Sequence, residues 1–119
     1  METLTLEIVE PSYARAGENI YFDGKNNLKI MDAAIERLQL ENPDEYILLA
    51  KLGDDIFIAK KTPGSNVFGW HARNRNKKSP TYYVTGRDLK AKLKFTRGMY
   101  RLDTSFEQGG FLWFKLKRL

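Results

Sequence analysis

The chain has 119 residues, no cysteine, 42% hydrophobic and 13% aromatic residues, which supports one packed domain and excludes disulfides, thiolate metal sites and wholesale disorder. No apolar run approaches the roughly 18–20 residues that cross a bilayer, and the acidic start METLTLEIVEPS is the opposite of a secretory signal; a cytoplasmic protein without membrane contact is expected. The net charge of +5 conceals an asymmetry: residues 1–60 carry twelve acidic and six basic side chains, formally −6, while residues 61–119 carry three acidic and fourteen basic, formally +11. A polyanion meets the second part as a strongly positive body, even if the two parts neutralise each other where they touch.

In chain order, LTLEIV and NIYFD alternate as strands do, and NLKIM (27–31) is a third candidate. DAAIERLQL (32–40) reads as a helix: Asp32 can accept hydrogen bonds from first-turn amides, and Ala34, Ile35 and Leu38 share one face. EYILLAKLGDDIFIAKK is a hairpin centred on Gly53-Asp54-Asp55, and KKTPGS (60–65) is the most turn-rich join. Next come NVFGWHAR and TYYVT as strands, and then GRDLKAKLKF as a helix, with Thr85 and Asp88 at capping-box-like spacing. Leu89 and Leu93 face inward there, leaving Lys90, Lys92 and Lys94 for other faces. MYRLDTSFEQGGFLWFKLK closes the chain as a hairpin on Gly109-Gly110; alternation sets Phe111, Trp113 and Lys115 against Leu112, Phe114 and Leu116, as an interior strand requires.

Residues 27–61 and 81–118 share an apolar rhythm at an offset of about 55 residues. Leu28 falls on Tyr83, Ala34 on Leu89, Leu38 on Leu93 and Leu40 on Phe95; after a one-residue gap, Tyr46 meets Tyr100, Leu48 meets Leu102, Ile56 meets Phe111 and Ile58 meets Trp113. Units this small are too thin to bury separate cores. The expected fold class is therefore α+β and β-rich: a pseudo-twofold tandem repeat of strand–helix–hairpin units, halves 1–61 and 62–119, merged into one compact domain as a mixed barrel or sandwich with two short helices.

A helix with apolar spacing, a Leu-x-Leu ending, a turn and a two-strand hairpin resembles the AbrB/SpoVT family of transcription factors. Leu38-Gln39-Leu40 stands where that family has Leu-Gly-Leu, and Asn42-Pro43-Asp44-Glu45 where it has Pro-Gly-Asp; Leu93-Lys94-Phe95 and Thr96-Arg97-Gly98 hold those places in the second half. The match covers about 30–40 residues per half. Neither half has the family's Ile-Pro start or its central glycine. The resemblance implies an intertwined swapped-hairpin barrel, here as a fused pseudo-dimer, that binds duplex DNA in a regulatory role.

For function, Arg73, Arg75, Lys77 and Lys78, interleaved with asparagines, suit phosphate contact, while Trp70, Tyr82 and Tyr83 suit stacking on bases. Arg87, Lys90 and Lys94 share a helix face, and Arg97 and Arg101 follow in the loop and the strand after it. The expectation is a non-enzymatic DNA- or RNA-binding protein, duplex DNA being favoured by the resemblance and single strands by the aromatics. The rival is a structural or adaptor protein whose basic half docks on an acidic partner, the acidic half of a second copy included. His71 has no thiol and no Gly-x-Ser-x-Gly nucleophile to work with, so neither catalysis nor metal binding is assigned to it. Asp44, Glu45, Asp54 and Asp55 read as turn formers at loop tips. No cofactor and no small-molecule substrate are expected.

Overall fold

The computed structural model describes residues 5–7, 19–31, 33–74, 81–93 and 96–119. Asp32, Arg75, Lys77, Lys78, Lys94 and Phe95 lie outside them, as do three of the six residues of LTLEIV. Among the described residues the chain forms, in order, β1 (Asn19–Phe22), β2 (Asn27–Met31), α1 (Ala33–Arg37), β3 (Asp44–Leu52), β4 (Asp55–Lys60), β5 (Trp70–Asn74), β6 (Thr81–Thr85), α2 (Leu89–Leu93), β7 (Gly98–Gln108) and β8 (Phe111–Arg118). The strands close into one barrel in the order β1-β2-β6-β5-β3-β4-β8-β7, every neighbouring pair antiparallel. Closure removes the unpaired sheet edges that an open sandwich would keep.

Alternation explains the core. Ile20 and Phe22, Leu28 and Ile30, Tyr82 and Val84, Ala72, Ile47, Ile56 and Ile58, Tyr100 and Leu102, and Phe114 and Leu116 all point inward and are buried. α1 adds Ala34 and Ile35, Leu38 follows it inward, and α2 adds Leu89 and Leu93, the faces expected from their spacing. Arg37 reaches from α1 to the carbonyl of Leu102 at 3.0 Å, with its guanidinium 4.9 Å from the Phe114 ring centroid.

The turns follow the residues available. Gly109 (φ 64°) and Gly110 (φ 83°) both take the left-handed conformation that a two-residue hairpin requires. Gln39 is the one non-glycine residue described with positive φ, at 58°. It ends α1: Leu40 N–H donates to the Ile35 carbonyl and Gln39 N–H to the Glu36 carbonyl, both at 3.0 Å, which is the Schellman pattern whose left-handed position usually holds glycine.

Several expectations need correction. Residues 5–7 of LTLEIV form no strand and Leu6 is exposed, while NVFGWHAR becomes strand only from Trp70. The expected pairings of Leu28 with Tyr83, Tyr46 with Tyr100, Ile56 with Phe111 and Ile58 with Trp113 are out of phase, because one member of each is buried in the core and the other is not. Asp44 and Glu45 open β3 rather than sit at a loop tip. Thr85 ends β6 and its hydroxyl donates to Asn27 Oδ1 at 2.8 Å, while α2 starts only at Leu89. No helix among the described residues is long and apolar enough to cross a membrane.

Candidate nucleic-acid interface

Because inward and outward residues alternate, each strand of β1, β2, β6 and β5 offers its intervening residues to solvent. Strand register lines them up. At one level across the wall the outward residues run Met99, Tyr21, Lys29, Tyr83, Arg73 and Asp44. Cations and aromatics therefore alternate from strand to strand, at the roughly 4.8 Å interval between neighbouring strands. Lys29 Nζ sits 5.6 Å from the Tyr83 ring centroid. Arg97, on the loop before β7, donates from Nε to Tyr21 Oη at 3.3 Å; that hydrogen bond raises the guanidinium's already high pKa.

A second cluster flanks this row. His71 stacks on Tyr46 with ring centroids 5.1 Å apart, Lys61 Nζ lies 5.6 Å from the Tyr46 ring on its own account, and His71 Nε2 meets Asp44 Oδ1 at 2.8 Å. Asp44 also lies 3.8 Å from Arg73 Nε. These contacts join the acidic and basic parts of the chain, as does Lys115 with Asp55 at 3.6 Å. At the neighbouring barrel end, Gly86 N–H donates to the Asn26 carbonyl at 3.0 Å, which brings the β1–β2 turn with Lys25 beside Arg87 and the start of α2. Arg87, Lys90 and Arg97 are all exposed there.

One of the sequence-predicted contacts is not available to a ligand. Tyr82 is 2% exposed, and its hydroxyl donates to the Asn42 carbonyl; burial, then Glu45 and Glu41, push its pKa up. Trp70 is half-buried against the core, and its ring occupies the space over Gly86, where a Cβ would overlap ring carbons Cζ3 and Cε3. Arg73 remains exposed, whereas Arg75, Lys77, Lys78 and Lys94 lie outside the described residues. Tyr21, Lys29 and Tyr46 belong to the acidic part and Lys61 to the turn-rich join, so charge counted by halves did not point to them. The signal that finds them is strand alternation combined with register, which ignores net charge by halves.

Glu45, by contrast, is buried and structural. Burial disfavours its charge, but the Glu41 amide at 2.9 Å, Lys60 Nζ at 3.4 Å and Asn42 outweigh that and hold its pKa below the usual carboxylate value. Among the described residues no three His, Asp or Glu side chains converge as a metal site.

Comparison of the chain with protein families, with curated proteins and with solved structures finds no match.

Proposed function

We propose that this chain is a non-enzymatic nucleic-acid-binding protein whose contact surface is the outer face of β1, β2, β6 and β5 with the adjoining start of α2. The observation that carries this reading is the cross-strand row Tyr21, Lys29, Tyr83, Arg73, extended by Arg97. Cations at strand intervals take phosphates, and half-buried tyrosines between them give bases a flat support that does not depend on sequence. Arg87 and Lys90 continue the positive surface. Single-stranded DNA or RNA is the ligand this geometry favours, since bases must be unpaired to lie on Tyr83 and Tyr21.

Duplex DNA and a regulatory role form the second reading, which follows the resemblance to AbrB/SpoVT proteins. It treats the two halves as tandem copies of a β-β-α-β-β unit. The pairings favour it: β1 pairs with β7 and β5 with β3, and exchanging the halves returns the same set of strand neighbours. Gln39 supports it as well, holding positive φ at the place where the motif has its glycine.

Fluorescence anisotropy with labelled single-stranded and duplex oligonucleotides, across a salt series, tests both readings. The expected result is tighter binding of the single strand, with Tyr83→Ala costing about 1–3 kcal/mol on it. Duplex preference with no effect of Tyr83→Ala selects the second reading. No binding at low salt ends both and leaves an acidic protein as the partner of the basic surface.

A further inference from the structure

The β3–β4 and β7–β8 hairpins run past the closed part of the barrel, and an apolar groove of 560 Å³ lies against them, walled by Leu49, Leu52, Phe57, Phe106, Phe111 and Trp113. Its rim carries Val67 and Phe68. Phe68 is 97% exposed, Leu52 74%, Val67 50% and Phe106 40%. Those four side chains leave roughly 500 Å² of contiguous apolar surface in water, taking about 150–250 Å² for a whole aromatic side chain, which is at the upper end of what a monomer ordinarily shows.

The backbone on either side of Phe68 is held in place. Ser65 N–H donates to the Thr62 carbonyl at 3.3 Å and Val67 N–H to Ser65 Oγ at 3.2 Å. Gly69 then backs onto β3 so closely that a Cβ there would stand 3.0 Å from the Ile47 carbonyl oxygen and 3.0 Å from Tyr46 Cβ. Beside the β3 strand, the chain therefore presents an exposed aromatic knob on anchored backbone next to an apolar hollow.

We infer that this groove is the interface of a two-fold dimer, in which Phe68 of each copy enters the hollow of its partner between Phe57, Phe106 and Trp113. Knob and hollow on one patch are what an isologous contact requires, since a two-fold axis between them satisfies both at once. The area is compatible: two copies of the patch remove about 1,000 Å² from water, the lower bound for a specific interface. The contact is apolar, so salt does not weaken it, which distinguishes it from pairing of the acidic part of one copy with the basic part of another. The inference is independent of nucleic-acid binding, because the row from Tyr21 to Arg73 contributes nothing to the groove.

Sedimentation velocity of the full chain between about 1 µM and 1 mM, the range separating firm from weak association, at low and high salt, tests it. The expected species is twice the 13.8 kDa chain, undiminished by salt, with Trp113 shielded from acrylamide as the dimer forms. Phe68→Ser, which removes a side chain with almost no contacts in its own protomer, is expected to weaken association at least tenfold and to leave the thermal melt unchanged at a concentration low enough for both chains to be monomeric; Phe106→Ser, from the hollow, does the same to association. A wild-type monomer throughout the range overturns the inference, as does a dimer that survives both substitutions or dissolves in salt. A monomer whose groove takes up a small apolar dye also overturns it, because the groove then serves a different occupant.

Discussion

The barrel wall has two unlike outer faces. Over β1, β2, β6 and β5 the outside is polar and aromatic, with Lys29, Tyr83 and Arg73 above a core of Leu28, Ile30, Tyr82, Val84 and Ala72. Over the far ends of β3, β4, β7 and β8 the outside is apolar, with Leu52, Phe57, Phe106, Phe111 and Trp113. Strand length separates the two. Among the described residues β1, β2, β5 and β6 span four or five each, whereas β3 spans nine, β7 eleven and β8 eight. Beyond Leu102 on β7 no residue is buried, so the overrun has no interior to face and both of its sides become surface. Alternation sorts inside from outside only where there is an inside.

Substitutions that touch one face and spare the other sharpen this contrast. The largest effect on stability is expected from Gly86→Ala, which drives a methyl into the Trp70 ring at the polar side; overpacking of this kind costs about 1–3 kcal/mol. Chemical denaturation measures that loss, and self-association through Phe68 should persist in the folded fraction. An unchanged midpoint would mean that Trp70 moves freely and that the close approach is incidental.

Acid reaches the closed part of the barrel through Glu45. Its carboxyl titrates below the ordinary value in the folded chain, so the stability it contributes is present above the unfolded value of 4.5 and is lost as pH falls through the lowered folded one. Asp23 is lowered too: burial opposes its charge, but hydrogen bonds from the Asn27 side chain and the Lys25 and Asn27 amides prevail. Thermal melts from neutral pH down to about pH 3 should fall steeply for the wild type and less steeply for Glu45→Gln; equal slopes would remove Glu45 from this role.

The smallest expected effect is a gain. Gln39→Gly places at φ 58° the residue with no Cβ penalty there, and should stabilise the chain by up to about 1 kcal/mol once the extra freedom of unfolded glycine is subtracted. A loss on denaturation would show that the Gln39 side chain holds the α1 exit by contacts rather than tolerating strain.

Much of the fold was legible because short-range patterns set it. NLKIM and TYYVT formed strands, both glycine-centred hairpins formed, and the inward faces of the two helices were those given by spacings of three and four. Closure was not legible as barrel rather than sandwich, since β1 with β7 and β5 with β3 are pairings between residues far apart in the chain. The site was read less well. Tyr82 and Tyr83 are adjacent, so a strand turns only one of them outward; matching Tyr82-x-Val84 to Leu28-x-Ile30 selects Tyr83. Trp70 is half-buried because Gly86 arrives beneath its ring from another strand end, a neighbour that local pattern does not show. Lys29 and Tyr21 were hidden by charge counting along the chain, because the register carries acidic-half residues onto the positive face.

On the proposed nucleic-acid reading, Lys29 and Arg73 neutralise phosphates of one backbone together. The most direct test compares the salt dependence of single-strand binding for the wild type and for Lys29→Ala/Arg73→Ala. Each lost phosphate contact lowers the steepness of log K against log salt by about 0.7 on single strands, so the double variant should be shallower by about 1.4. An unchanged slope, with binding intact, would mean that the nucleic acid lies elsewhere on the barrel and that Lys29 and Arg73 touch no phosphate.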